Sequence, residues 1–279
     1  MNGEPKPVLV LVDGFNLLWR AAFGFPTRVT TRDGRDVTAP FGFFALLRKA
    51  LHRLGRRYEC IVVFDSETGW NGRRVYVPDY KEHRVTADFS PIDWLPEIQE
   101  ALNALGLAWQ ESGDWEADDV IASIAGLTQP REVLVMSTDR DFYQLLDQRV
   151  SQLNTARAAP QTVITEREIR GRFGVAPRQW CDYIALVGDP SDGIAGIRGI
   201  GPVRAAALLD GNLTLDDLPG SGRLVGAHGR CLRDNVEQAI AWRELIRFRS
   251  NLRPEVEPSG QHGPELPLAA EVLAQRGIW

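Results

Sequence analysis

Three stretches of the chain are unbroken apolar runs, rich in β-branched residues, that stop on an aspartate. They are "PVLVLVDG" (7–14), "YECIVVFD" (58–65) and "REVLVMSTDRD" (131–141). Runs this short that are apolar at nearly every position read as strands buried on both faces, as in a parallel sheet. Helical spacing fills the gaps. "FNLLWRAAFG" follows the first run, and "APFGFFALLRKALHRLG" (39–55) is a long amphipathic helix with Gly55 as its C-cap. "PIDWLPEIQEALNALG" (91–106) predicts a further helix and "LAWQES" a short strand; "VSQLNT" and "QTVITEREIRGRFG" predict two more strands and a helix. Strands alternating with helices imply an α/β fold: a mostly parallel sheet flanked by helices on both faces.

This architecture fixes where the acids lie. Sites in open parallel sheets form at the carboxyl ends of the strands. Asp13, Asp65, Asp139 and Asp141 end their runs and belong on one rim. The stretch "SGDWEADDVIASIAG" (112–126) starts a helix after another strand, which brings Glu116, Asp118 and Asp119 to the same rim. Asp114, in the same stretch, reads as an N-cap before Trp115. Asp189 and Asp192, in "GDPSDG", lie in a turn at the entry to the second half of the chain.

Nine acids thus have a reason to meet. Two carboxylates 4 Å apart repel by roughly 4 kcal/mol at an effective dielectric near 20. Such a cluster stays ionised only with cations among it. Hard divalent ions take oxygen ligands, and Mg²⁺ binds through a few carboxylates, waters and substrate phosphates. Two such ions form the known device for in-line attack on a phosphodiester. The plainer reading is that acids complement the first turn of a helix, and that an aspartate after a strand caps or turns the chain. Their coincidence at the strand ends of one sheet favours the metal site.

The formal net charge of −5 argues against a nucleic-acid partner if taken alone. Without the nine site acids the balance turns positive, and a phosphate backbone becomes a plausible partner. The three cysteines, Cys60, Cys181 and Cys231, form no CxxC pair and fit a reducing compartment. "PVLVLV" is too short to span a membrane and has no cleavage pattern, so the expectation is a cytoplasmic protein with no membrane partner.

Residues 66–90 lack an apolar period and carry Arg73, Arg74, Lys81 and Arg84, a basic excursion from the core. From about residue 176 the chain turns to short helices and glycine turns, and residues 221–249 are helical and rich in arginine. Residues 253–267 read as a Pro/Gly linker before a last short helix. The expected organisation is an α/β unit over 1–175, a helical unit over 176–252 and a C-terminal tail over 253–279.

"LVDG", "FD", "EADD", "TDRD" and "GDPSDGIAGIRGIG" occur in one order and spacing, and with them the chain resembles the 5′-to-3′ exonuclease and flap endonuclease family over about residues 7–250. The resemblance implies a PIN-like (Rossmann-like) nuclease domain, a helical arch at about 66–90, and a helix–hairpin–helix-type DNA-binding domain. It places metal-binding acids on Asp13, Asp65, Glu116, Asp118, Asp119, Asp139, Asp141, Asp189 and Asp192. Of these, Asp13, Asp65, Glu116 and Asp118 would surround one ion, and Asp139, Asp141, Asp189 and Asp192 the second. In "YVPDYKEHR", Tyr80 would stack on a base, while Lys81 and Arg84 would stabilise charge on the scissile phosphate. Arg73 and Arg74 would contact phosphates. Gly196, Gly199 and Gly201 of "GIAGIRGIG" would let the backbone approach a duplex, with Arg204 beside them and K⁺ at the turn.

The chain departs from the family's usual pattern at Gly193, where Asn is common, and at Val203 and Arg204, where Lys and Thr are common. The implied activity is a Mg²⁺-dependent, structure-specific 5′ nuclease, with Mn²⁺ able to substitute. It would act as a monomeric, stand-alone enzyme on DNA with a 5′ flap, nick or 5′ end, and on RNA–DNA primer junctions, in replication and repair. A PIN-type ribonuclease is the alternative, against which the basic excursion and the glycine-turn domain count. A non-catalytic DNA binder would be expected to have lost acids, and none is lost.

Overall fold

The computed structural model of the protein describes residues 6–66, 91–158 and 161–279. Six strands form one sheet: β1 (Val8–Asp13), β2 (Tyr58–Phe64), β3 (Ala108–Glu111), β4 (Val133–Met136), β5 (Val150–Leu153) and β6 (Val163–Ile164). Their order is β3-β2-β1-β4-β5-β6. The first five strands are parallel, and β6 closes the β5 edge antiparallel. Every residue of β1 and β2 is buried. A strand covered on both faces leaves no position for a polar side chain, which is why these runs do not alternate.

The helices are, in chain order, α1 (Gly14–Gly24), α2 (Thr38–Arg53), α3 (Leu95–Ala104), α4 (Ala117–Leu127), α5 (Glu166–Phe173), α6 (Trp180–Val187), α7 (Pro202–Leu209), α8 (Gly226–Asp234), α9 (Val236–Ile246) and α10 (Ala269–Gln275). Successive β1 residues serve opposite faces, as the two-residue period of a strand requires. Val8, Val10 and Val12 pack with α1, α2, α3 and α10, while Leu9 and Leu11 pack with α4 and the helical half. Trp180, Ile184, Ala205 and Leu232 belong to the same apolar cluster as Leu9, Ile61 and Val135. The helical half is therefore built onto one face of the sheet and shares its core.

Two expectations need correction. The helix predicted over 91–106 begins as a 3₁₀ turn, Pro91–Trp94, before α3. Residues 253–267 form no regular element, but they are strapped down rather than loose. Glu59 of β2 accepts the amides of Ser259 (2.6 Å) and Gly260 (2.9 Å), and the Arg131 guanidinium at 2.6 Å. The Gly263 amide donates to the Tyr58 carbonyl at 2.7 Å, and the Tyr58 hydroxyl to the Pro264 carbonyl at 2.6 Å. α10 then buries Val272 and Leu273 in the core beside α2. Among the described residues, no helix is long and apolar enough to cross a membrane.

Candidate active site

The strand order reverses between β1 and β4, so connections from these neighbours leave in opposite directions and a crevice opens at their carboxyl ends. Asp13 ends β1 inside it. Its Oδ1 accepts the Asn16 amide at 3.0 Å, capping α1, and its Oδ2 accepts the Ser137 hydroxyl at 2.9 Å. The Ser137 Oγ accepts the Asp139 amide at 3.1 Å. Asn16 donates its carboxamide to Thr138 Oγ1 at 2.9 Å and accepts the Thr138 amide at 3.0 Å. The loops after β1 and β4 are thus clasped to each other. Sequence reading missed Asn16, Ser137 and Thr138. The available signal was an Asn three residues after Asp13 and a hydroxyl pair just before Asp139.

Asp65 follows β2, and its Oδ1 accepts the amide of Ala117 at 2.8 Å. α4 begins at Ala117, with Glu116 in the N-cap position and making no cap bond of its own. The expected helix start at Trp115 with Asp114 as cap is therefore wrong. The cap comes from a strand-end carboxylate 52 residues away, and Asp114 lies exposed in a turn. Trp115 packs under the Arg249 guanidinium, 5.5 Å from its ring centre.

The electrostatics show which acids share the crevice. Loss of solvent raises the Asp118 carboxyl well above the usual range, and the charges of Asp13, Asp139, Asp65 and Glu116 raise it further. Asp13 is pushed up to about 7, first by desolvation, then by Asp65 and Asp139, against the lowering effect of the Asn16 amide and the Ser137 hydroxyl. Five of the nine predicted acids therefore act on one another directly: Asp13, Asp65, Glu116, Asp118 and Asp139.

The other four are placed less uniformly. Asp141 starts a 3₁₀ turn (Asp141–Leu145), its amide bonded to Asp139 Oδ1 at 2.9 Å. Asp189 opens the 3₁₀ turn Pro190–Asp192 that holds Asp192, and Arg140 reaches within 3.7 Å of Asp189 Oδ2 from the β4 loop. Asp119 is buried, and its Oδ1 accepts the Arg249 amide at 2.8 Å, a bond to the segment that leaves α9.

Among the described residues, no three of these acids close around a common point tightly enough to enclose an ion. Backbone amides and hydroxyls hold several of them: Asp13 through Asn16 and Ser137, Asp65 through Ala117, Asp119 through Arg249 and Asp139 through Asp141. The donor set itself suits a hard divalent cation. It is all oxygen and anionic, desolvated, and includes a group that ionises near neutral pH.

The glycine-rich turn follows α6. Asp189 and Ile194 exchange amide bonds of 2.8 Å, forming a tight loop that needs Gly193 at φ +72°. Gly and Asn are the residues that adopt this left-handed geometry most readily, so the departure at Gly193 leaves the turn intact. A Cβ on Gly196 (φ +70°) would lie 2.6 Å from the Val187 backbone. One on Gly199 (φ +80°) would lie 2.5 Å from the His228 ring. Gly201 faces open space and occupies the N-cap position of α7. Arg204, exposed in the first turn of α7, donates to the Gly199 carbonyl, and Val203 beside it is 86% exposed. Trp19 and Phe23, one helical turn apart on α1, stack at 5.4 Å and are both exposed. Tyr80, Lys81, Arg84, Arg73 and Arg74, with the expected arch beyond Ser66, lie outside the described residues.

Residues 8–174 match the family described as "5′-3′ exonuclease, N-terminal resolvase-like domain", and residues 175–263 match "5′-3′ exonuclease, C-terminal SAM fold". The chain is 37% identical over 266 residues to a thermostable DNA polymerase I of Thermus thermophilus, covering 94% of this chain and 31% of that protein. It is 32% identical over 283 residues to DNA polymerase I of Deinococcus radiodurans, covering 98% and 29%. The chain thus spans less than a third of the length of these relatives. Among solved structures it resembles T5 5′-exonuclease with bound zinc, with a TM-score of 0.70, 23% identity, and coverage of 87% of this chain and 90% of that one. It also resembles the catalytic core of Rad2 in complex with DNA substrate, with a TM-score of 0.56, 16% identity, and coverage of 98% and 89%. Both structures share its fold: a mostly parallel sheet flanked by helices, with a helical half beside it. Since the resolvase-like match alone spans more than half of its residues and the second follows without a gap, the chain belongs to the 5′-3′ exonuclease family.

Proposed function

We propose that this protein is a divalent-metal-dependent 5′ nuclease that hydrolyses DNA phosphodiesters at a 5′ end or at the base of a 5′ flap. The observation that carries the reading is the set of mutually repelling carboxylates at the β1/β4 crevice, with Asp13 pushed up to about 7. Asp13, Asp65, Glu116, Asp118 and Asp139 would hold cations there. Asp141, Asp189 and Asp192 would complete a second position, and Asp119, whose Oδ1 holds the Arg249 amide, would add its carboxylate to the set. Two Mg²⁺ ions, or Mn²⁺ in their place, would supply the activated water and neutralise charge on the reacting phosphate.

The chain's own residues do the rest. The Asn16–Thr138 and Asp13–Ser137 bonds fix the two strand ends against each other, and Asp65 aligns α4 by capping it. The glycine turn and the start of α7 present backbone amides, with Arg204 beside them, to duplex phosphates. The carbonyls of that turn are suitable ligands for K⁺. Tyr80, Lys81 and Arg84 are assigned to the unpaired strand and the scissile phosphate, and Arg73 and Arg74 to flanking phosphates. A place in primer and flap removal during replication and repair, with a cytoplasmic monomer as the working form, belongs to the same proposal; relatives named DNA polymerase I support a role on DNA. The division into 1–175, 176–252 and 253–279 is retained as the functional layout, with the tail bound to the first unit.

The test is product mapping on 5′-labelled flap, nicked and blunt DNA duplexes and on single-stranded RNA, with Mg²⁺ and with Mn²⁺. The expected result is metal-dependent cleavage of the DNA junctions, abolished in Asp13→Asn and Asp139→Asn while DNA binding survives. Wild-type cleavage by either variant, or a strong preference for single-stranded RNA, overturns the proposal.

A further inference from the structure

The segment that leaves α9, residues 246–252, crosses the active-site side of the molecule without joining the sheet. Side chains take the place of a ladder. On one side, Asp119 Oδ1 accepts the Arg249 amide at 2.8 Å and Ser123 Oγ accepts the Leu252 amide at 3.1 Å. On the other side stands Gln144, three residues after Asp141. Its Nε2 donates to the Asp141 carbonyl at 2.9 Å and to the Ile246 carbonyl at 3.1 Å. Its Oε1 accepts the Phe248 amide at 2.9 Å and the Cys181 thiol at 3.2 Å. A carboxamide offers two donors and two acceptor positions. All four are used here, so the group is locked in rotation as well as in place.

We propose that Gln144 is a positioning residue for the metal site. It ties the backbone of Asp141 to the segment leaving the helical half, and so sets the height of the Asp141 carboxylate above the crevice. The inference rests on the metal-binding reading of the acids given above. The turn Asp141–Leu145 is short, and the Asp139 carboxylate holds the amide at its start at 2.9 Å. The Nε2 bond adds a second donor at its first carbonyl, and the same carboxamide carries that point to the Ile246 carbonyl and the Phe248 amide across the gap. Phe142 packs edge-on against Phe248, 5.2 Å between ring centres, so packing alone keeps the two segments adjacent. What the carboxamide adds is register, and register is what a ligand carboxylate needs.

Direct Mn²⁺ binding, read from the electron paramagnetic resonance signal of the free ion, separates the possibilities without an activity assay. Gln144→Met keeps the length and apolar stem but removes every polar bond. It is expected to weaken Mn²⁺ binding about tenfold, the scale of loss seen when an orienting partner of a ligand is removed. DNA binding in EDTA should stay within about twofold of wild type. Gln144→Asn keeps the carboxamide one methylene short of spanning both backbones. It should shift binding in the same direction, and it decides the matter if Gln144→Met does not fold. A folded variant with wild-type Mn²⁺ affinity, whatever its thermal stability, overturns the proposal. Asp141→Asn is measured alongside. If it too binds Mn²⁺ like wild type, the metal reading of Asp141 falls and this inference with it. If it binds weakly while the Gln144 variants do not, this inference alone fails.

Discussion

Removing the charge of Asp13 should stabilise the protein when metal is absent. Asp13 is 7% exposed, and its carboxyl is pushed from 3.8 to about 7, chiefly by burial. Between these values the folded protein holds a proton that the unfolded chain has lost. Stability therefore falls as pH rises through that window, and the loss is complete only above about 7. At about 1.4 kcal/mol per pH unit, the full displacement corresponds to on the order of 4 kcal/mol. Part of it comes from Asp65 and Asp139, whose charges also depend on pH, so a measured effect of about 2–4 kcal/mol is expected. In Asp13→Asn the Oδ1 still accepts the Asn16 amide, and the new Nδ2 can donate to Ser137 Oγ. The hydrogen bonds survive and the buried charge does not. The assay is urea denaturation followed by circular dichroism in EDTA at pH 4, 6 and 8. The variant should exceed wild type at pH 8, by less at pH 6 and not at all at pH 4. Excess Mg²⁺ should close or invert the gap, because an ion at a hundred times its Kd adds about 2.7 kcal/mol to the protein that binds it. A variant no more stable than wild type at pH 8 in EDTA, or a gap independent of pH, would refute the reasoning.

The glycine turn gives a paired prediction. Gly196→Ala puts a Cβ 2.6 Å from backbone at φ +70° and should cost at least about 2 kcal/mol, whereas Gly201→Ala meets nothing within 4 Å and should cost under about 1, both read by denaturation. Arg131→Met leaves the buried Glu59 without its cation and should cost about 3–5 kcal/mol. It should also expose residues 255–265 to limited proteolysis, and an unchanged digestion pattern would mean that the strap is not held by this pair. Asn16→Ala unclasps the β1 and β4 loops at Thr138 and should cost about 1–3 kcal/mol. Its half-saturating Mg²⁺ concentration for cleavage should rise as well; a stability loss with unchanged metal dependence would confine Asn16 to folding.

Much of the site was legible because of how a parallel sheet is made. A strand buried on both faces must be apolar throughout, so the first acid after it marks its end, and Asp13, Asp65 and Asp139 could be placed on one rim from the sequence. What was not legible depends on partners far along the chain. Asp114 had the local pattern of a cap, yet the Ala117 amide is taken by Asp65 from across the crevice. The first donor of the helix is thus met from outside the local sequence, by a carboxylate at the end of β2. Asp119 is expected among the site acids from its place beside Asp118; what the sequence does not show is that its Oδ1 also holds the Arg249 amide, 130 residues away. The strap at 253–267 has the composition of a linker because no apolar period is needed there. Much of its hold comes from amides and carbonyls meeting Glu59 and Tyr58, which leave no mark in a sequence, while Val256 and Leu266 pack against the core from this stretch.

These same long-range bonds also explain why the helical half cannot be treated as an appended module. Its helices α6 and α7 bury Ile184 and Ala205 in the cluster that holds Leu9 and Val135 of the sheet. Its exit segment is fixed to α4 by Asp119 and Ser123, and to the turn after β4 by Gln144. A packed core responds to displacement as a unit rather than absorbing it locally. The turn that would meet a duplex and the acids that would hold the cations are thus positioned by one continuous body. On that basis, substitutions of the apolar residues Ile246, Phe248 and Leu252 should weaken metal binding, read by the same Mn²⁺ titration, although none of them belongs to the acid cluster.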